Sequence, residues 1–167
     1  MEHAHDAQGG GQVADRTQSH AGHYRRLLVM TAVSFLAMYA LMYAMVNEFG
    51  NVFNSINQFY MAGLMAAAMV IIELLVMSAM YPDKRRNRLF LAGSFVLLLL
   101  CWFGIRRQVA IGDRQFLRSM IPHHAGAVLM CEHARITDPQ IRALCRGIDS
   151  SQRSEIAVMK QLLERDR

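Results

Sequence analysis

The chain has little of what most soluble enzymes are built from. Of its 167 residues, aromatics make up 8% and charged residues 19%, yet apolar residues reach 53%. That apolar excess lies in three concentrated blocks, the pattern of a membrane protein rather than of a soluble globule with a large core. Cysteines are few, only Cys101, Cys131 and Cys145, and no CxxC pair occurs. A zinc ribbon and a thioredoxin-like redox centre are thereby excluded. There is no Ser/His/Asp arrangement, phosphate loop, nucleotide fingerprint or zinc-protease motif, so nothing points to an enzyme. Paired Glu-x-x-His motifs are missing as well; Glu132 and His133 are adjacent, the wrong spacing for a di-iron oxidase. The net charge is +5. Its densest cluster, Lys84-Arg85-Arg86-Asn87-Arg88, falls between two apolar blocks, where a topology determinant sits, so nucleic acid is not an expected partner.

What is present organises the chain into three parts. Residues 1–24 are polar, carry Gly9-Gly10-Gly11 and four histidines (His3, His5, His20, His23), and read as a disordered tail. The apolar run after them starts too late and is too long for a secretory signal. Met1-Glu2-His3 is a sequence that can chelate Cu(II) or Ni(II) through a free amine, two amide nitrogens and an imidazole; a plain histidine-bearing tail is the competing reading. Residues 25–106 hold three predicted membrane spans at 27–46, 59–80 and 89–105. The first has no charge, and at about 1.5 Å per residue it matches the hydrocarbon thickness. Tyr81-Pro82-Asp83 ends the second, because proline cannot continue a helical ladder.

Basic residues set an expected orientation. Arg25-Arg26 and the Lys84–Arg88 cluster flank spans on one side, and the loop from 47 to 58 has no basic residue. The N-terminus is therefore expected in the cytoplasm of a bacterial inner (cell) membrane, with the C-terminal domain periplasmic or extracellular. Arg106, Arg107, Arg114 and Arg118 oppose that orientation.

Residues 113–167 read as a helical hairpin. Asp113 can cap its first helix after the breaker Gly112. Pro122 should free the carbonyl of Arg118 and bend the helix. Thr137-Asp138-Pro139 restarts a helix, with a capping side chain followed by proline at the first helical position. Gly147 and Asp149-Ser150-Ser151 weaken the middle of the second helix. Ile141, Leu144, Ile148, Ile156, Met159 and Leu163 recur at three- and four-residue spacing. Two helices cannot enclose a core alone, so this face is expected to bury itself in a dimer, forming a four-helix bundle, or on the membrane part.

Chemistry concentrates in the hairpin. At about 100° per residue, Met120, His123, His124 and Cys131 fall within a third of the first helix, with Met130 at the edge. Cys145, Gln152, Glu155 and Met159 share a face of the second. Thioethers and imidazoles together suit a soft or borderline metal, copper above all. The plain alternative is that these groups pack and hydrogen-bond in a bundle core, His124 donating to a backbone carbonyl or to Glu155. Cys131 and Cys145 are similarly placed about the turn. A thiolate pair for Cu(I), a disulfide and two small buried residues remain open. Within the spans, Met61, Met65, Met69, Glu73 and Met77 form one stripe and Met38, Met42 and Met45 another. Packing accounts for both; a membrane metal path with Glu73 as its anionic centre is the sharper reading.

Asp113, Phe116, Met120-Ile121-Pro122-His123-His124, Ala127, Met130, Asp138-Pro139, Ile141, Arg142, Leu144 and Gln152-x-x-Glu155-Ile156-x-x-Met159 together resemble domain-of-unknown-function family 305, over residues 113–167. The three spans resemble that family's membrane-anchored branch. The resemblance implies a ferritin-like helical bundle, and some periplasmic members bind copper and contribute to copper resistance. It implies Met120, His123, His124, Met130 and Met159 as metal positions; Gln152 and Glu155 would then orient the imidazoles or serve as structural hydrogen-bond partners. Cys131 and Cys145 stand where the family usually has alanine-like residues or serine, which implies either a stronger metal site or a disulfide.

The expected fold is all-α: three transmembrane helices, then a C-terminal hairpin that completes a ferritin-like four-helix bundle on assembly. The expected function is membrane-anchored binding of a copper ion or similar soft metal, for buffering or resistance. Its partners would be membrane lipid, the ion and a second copy of the chain. A non-catalytic structural or interaction module without metal is the alternative, and a membrane metal conduit is a third.

Overall fold

The structure is a computed structural model that describes the backbone of residues 7–165 and side chains from Gly22 onward. Among these residues there are five α-helices and no strands: α1 Ala7–Leu41, α2 Ile56–Val76, α3 Lys84–Arg107, α4 Asp113–His133 and α5 Pro139–Arg165. Short 3-10 turns at Met42–Met45, Phe49–Asn51 and Ser78–Met80 punctuate the first two connections.

Three helical stretches are long and apolar enough to cross a membrane: Gly22–Met45, Ile56–Val76 and Lys84–Arg107. They match the three predicted spans with shifted ends. α1 runs back to Ala7, into the stretch read as a disordered tail; Met1–Asp6, with His3 and His5, lie outside the described residues. At α3 the helix starts ahead of the apolar run because Asp83 caps it. Its Oδ1 accepts from the backbone N–H groups of Arg85 and Arg86, each at 3.0 Å. Those bonds, the Arg86 one first, hold the Asp83 carboxyl below its usual range.

The chain divides into two compact units, 1–37 with 63–101, and 38–62 with 102–167. In the first, Tyr24, Leu27, Val70, Leu74 and Tyr81 form a buried cluster. Tyr24 stacks on Phe90 with ring centroids 5.5 Å apart, and its hydroxyl donates to Asn87 Oδ1 at 2.6 Å. Asn87 in turn donates to the Tyr81 carbonyl at 2.7 Å. Buried Gly63 faces Cys101; a Cβ there would stand 2.9 Å from the Cys101 sulfur.

In the second unit the α4–α5 hairpin has its own core. Leu117, Ile121, Ala125 and Val128 of α4 meet Ile156, Met159 and Leu163 of α5, with Val46, Phe53, Met120 and Leu162 packed against them. The spacing on each helix is three or four residues, so one stripe is buried per helix. Only the second half of the expected α5 stripe is covered: Ile141 and Leu144 remain 54% and 63% exposed.

The start of α5 follows the sequence expectation. Asp138 Oδ1 accepts from the N–H groups of Gln140 at 2.8 Å and Ile141 at 3.0 Å, satisfying two donors that the first helical turn leaves unpaired. Asp138→Ala should cost about 1 kcal/mol, read as a lower midpoint in chemical denaturation at unchanged slope. The start of α4 differs: Gly112 occupies the cap position and Asp113 is the first helical residue, without a capping hydrogen bond. Both helices run without interruption through the residues expected to disturb them, Pro122 in α4 and Gly147 in α5.

Candidate metal centre

The two adjacent histidines take different roles, because neighbours on a helix point about 100° apart. His124 is buried, and both its ring nitrogens are engaged. Nδ1 lies 2.9 Å from the Met120 carbonyl oxygen and Nε2 lies 2.8 Å from Glu155 Oε2. Both nitrogens are thus taken up by hydrogen-bond partners within the hairpin. His124 clasps α4 to α5 through Glu155.

Glu155 is held from its other side by Ser151, whose hydroxyl donates to Oε1 at 2.7 Å. The Ser151 bond first, and the His124 bond after it, lower the carboxyl from its usual range. A group depressed by folding stabilises the fold above its unfolded value, and that contribution disappears as pH falls through the folded value. Denaturation midpoints of the wild type and of Glu155→Gln should therefore differ at about pH 6 and converge as pH falls below about 4. Gln152 is half-buried and takes no part in this cluster.

His123, one residue earlier, is exposed, and its ring centroid is 6.1 Å from that of His124 at an interplanar angle of 65°. It opens into a cavity of about 460 Å³ that Met130 also lines. The cavity's far wall comes from the end of the first span and the start of the second, with Met42, Met45 and Met61 among its lining. Gly126 permits this closeness: a Cβ there would stand 3.4 Å from the Met45 carbonyl oxygen.

The remaining expected ligands are elsewhere. Met159 is buried in the hairpin core, and Met120 packs against that core. Cys131 and Cys145 form a disulfide, which settles their three open readings and removes both as thiolate ligands in this form. Of the seven metal positions read from the sequence, His123 and Met130 line one cavity, while Cys131 and Cys145, joined as a disulfide, line another. Among the described residues, no three His, Cys, Asp or Glu side chains come together in a metal-holding group. The cavity instead brings an exposed imidazole and thioether side chains to one lining.

Glu73 sits in the last turn of α2, where its Oε1 accepts from the Tyr81 hydroxyl at 3.2 Å. Met65 and Met77, on the same stripe, are 40% and 37% exposed. Periodicity along the chain does not group Met42, Met45 and Met61 with His123. The available signal was their position, close on either side of the 47–58 loop.

The class is now defined: an all-helical chain with three membrane-type helices followed by a helical hairpin. Its residues 106–166 match the family described as Domain of unknown function (DUF305). It is 31% identical over 141 residues to "Uncharacterized protein L153" of Acanthamoeba polyphaga mimivirus, an alignment covering 83% of this chain and 91% of that protein. That alignment is longer than the family match, so the likeness reaches into the membrane-type helices. No solved structure matches. The chain belongs to the DUF305 family.

Proposed function

We propose that the protein is a membrane-anchored, non-enzymatic binder of copper or a similar soft ion, which it buffers by reversible Met/His coordination. The observation that carries this reading is the placement of His123 and Met130 on one cavity while His124 is engaged with Glu155. An imidazole left free of the core beside a thioether is an unneeded arrangement for packing and a suitable one for Cu(I). The placement of basic residues supports a cytoplasmic N-terminus, with the hairpin on the outer side of a cell membrane, the periplasm in a bacterium.

Competition titration of the full chain in detergent, against a coloured Cu(I) chelator, tests the reading. His123→Ala should weaken Cu(I) binding roughly tenfold or more at unchanged stability. His124→Ala should lower stability through the lost Glu155 contact. Equal Cu(I) affinity in wild type and His123→Ala would remove the reading.

A second copy of the chain is the proposed partner, and the half-covered stripe on α5 supports it. Exposed Ile141 and Leu144 continue the line of buried Ile156, Met159 and Leu163, so a facing hairpin would complete a ferritin-like four-helix bundle. If that stripe is used without any metal, the protein is the interaction module of the alternative reading. Failed copper binding with a Leu144-dependent dimer would favour that alternative.

A further inference from the structure

We infer that the membrane anchor itself supplies ligands to the His123 cavity: Met42, Met45 and Met61 complete, with His123 and Met130, a carboxylate-free site for a monovalent soft cation of the Cu(I) class. The inference rests on the function proposed above and adds both the extra ligands and the selectivity.

The three methionines come from segments that the sequence pattern assigns to membrane spans. Met42 and Met45 form the 3-10 turn that closes the first span, and Met61 is in the second turn of α2. All three line the cavity that His123 and Met130 enter from α4. Met45, Met61 and Met130 are not core fillers, at 51%, 41% and 54% exposure, Met42 is half-buried, and the adjacent hairpin core is filled by other side chains. Methionine is also the wrong residue to fix a wall by packing alone, since its flexible thioether specifies shape poorly. The close approach of Gly126 to the Met45 backbone puts the α4 imidazole beside thioethers far away in sequence.

The charge of the lining selects the ion. No aspartate, glutamate or cysteine lines the cavity; its polar members, such as Asn57, Gln58 and Ser119, are neutral. A divalent ion would bring two charges to a largely apolar wall with no anion to balance them, which is costly. A monovalent d10 ion brings one charge and prefers thioether sulfur and imidazole nitrogen. Carboxylate-loving divalent ions and harder cations are thus excluded by the same lining that accepts Cu(I).

The test uses the full chain in detergent micelles with its disulfide intact, and Cu(I), Ag(I) and Zn(II) as the probes. Leucine conserves methionine's volume closely, so Met42→Leu, Met45→Leu and Met61→Leu combined should keep the fold. The triple variant should bind Cu(I) roughly tenfold or more weakly, and Zn(II) should fail to compete in the wild type. A second readout needs no variant: with carbon-13 methionine methyls, Ag(I) should shift the signals of Met42, Met45, Met61 and Met130. Wild-type affinity in the triple variant, or anchor methyls that Ag(I) leaves unmoved, overturns the inference. If His123→Ala still weakens binding in that case, the proposed function stands without the anchor ligands. If neither set of substitutions matters, both readings fall.

Discussion

Breaking the Cys131–Cys145 disulfide should destabilise the α4–α5 hairpin by about 3 kcal/mol. The bond closes a loop of 14 residues in sequence separation, and the chain-entropy estimate for a loop of that size is about 3 kcal/mol. The location sharpens the expectation. Beyond the bond lies the Thr137-Asp138-Pro139 connection, and the buried core stripe starts only at Val128 on α4 and Ile156 on α5. The turn-proximal end of the hairpin therefore has the disulfide, the Asp138 cap and the Arg153 pairing with Glu132 and Asp149 in place of an apolar core. Exposed ion pairs of that kind contribute little, so the disulfide is the main tie at this end. Denaturation of wild type with and without reductant, beside Cys131→Ser/Cys145→Ser, measures it. Reduced wild type and double variant should share one lowered midpoint; no shift in either would mean the end is held by something else. Because neither sulfur lines the His123 cavity, the double variant should keep the wild-type Cu(I) affinity.

Truncating Ile121 should have the larger effect on folding. Ile121 is fully buried at the centre of the α4 stripe, one turn from Leu117 and one from Ala125, in one core cluster with Ile156 and Met159. Ile121→Ala removes buried methyl and methylene groups and leaves a cavity between two helices that the disulfide already holds in place. Such substitutions cost about 2–5 kcal/mol, and limited room to collapse favours the upper half. Leu144→Ala is the control. At 63% exposure it should change a monomer by no more than about 0.5 kcal/mol. If α5 pairs with a second copy, its cost should rise well above that and depend on protein concentration. The pair of variants thus separates the hairpin's own core from its proposed interface. A loss below 1 kcal/mol at Ile121 would contradict the core described here.

Much of this was legible in the sequence, and the reasons differ by residue. The spans were readable because twenty apolar residues in a row have few uses outside a bilayer. Asp138-Pro139 was readable because capping is local chemistry, decided within three residues. His124 is half legible: its bond to the Met120 carbonyl is one helical turn away, and Glu155 is a partner that the shared face of the hairpin suggests. The cap of α4 falls on Gly112 rather than on Asp113, because glycine, with no side chain to offer, also suits that position. The metal positions inherited from the family pattern separated for a reason no periodicity shows. A stripe puts residues on one line of a cylinder, but what faces that line depends on neighbouring helices. Met120 and Met159 face the hairpin core, while Met61, counted with Met65, Met69 and Glu73, lines the same cavity as His123. The cavity that Met42, Met45, Met61 and His123 line gathers residues far apart in the chain, which is the information a single sequence carries least of.

The central claim is that His123, and not His124, offers an imidazole to a soft ion among thioethers. X-ray absorption at the copper edge of the Cu(I)-loaded full chain reads the donors directly. The account predicts imidazole nitrogen together with thioether sulfur around the ion, with the nitrogen contribution lost in His123→Ala and retained in Glu155→Gln. A shell of oxygen and nitrogen alone, or a spectrum that His123→Ala leaves unchanged, would contradict it.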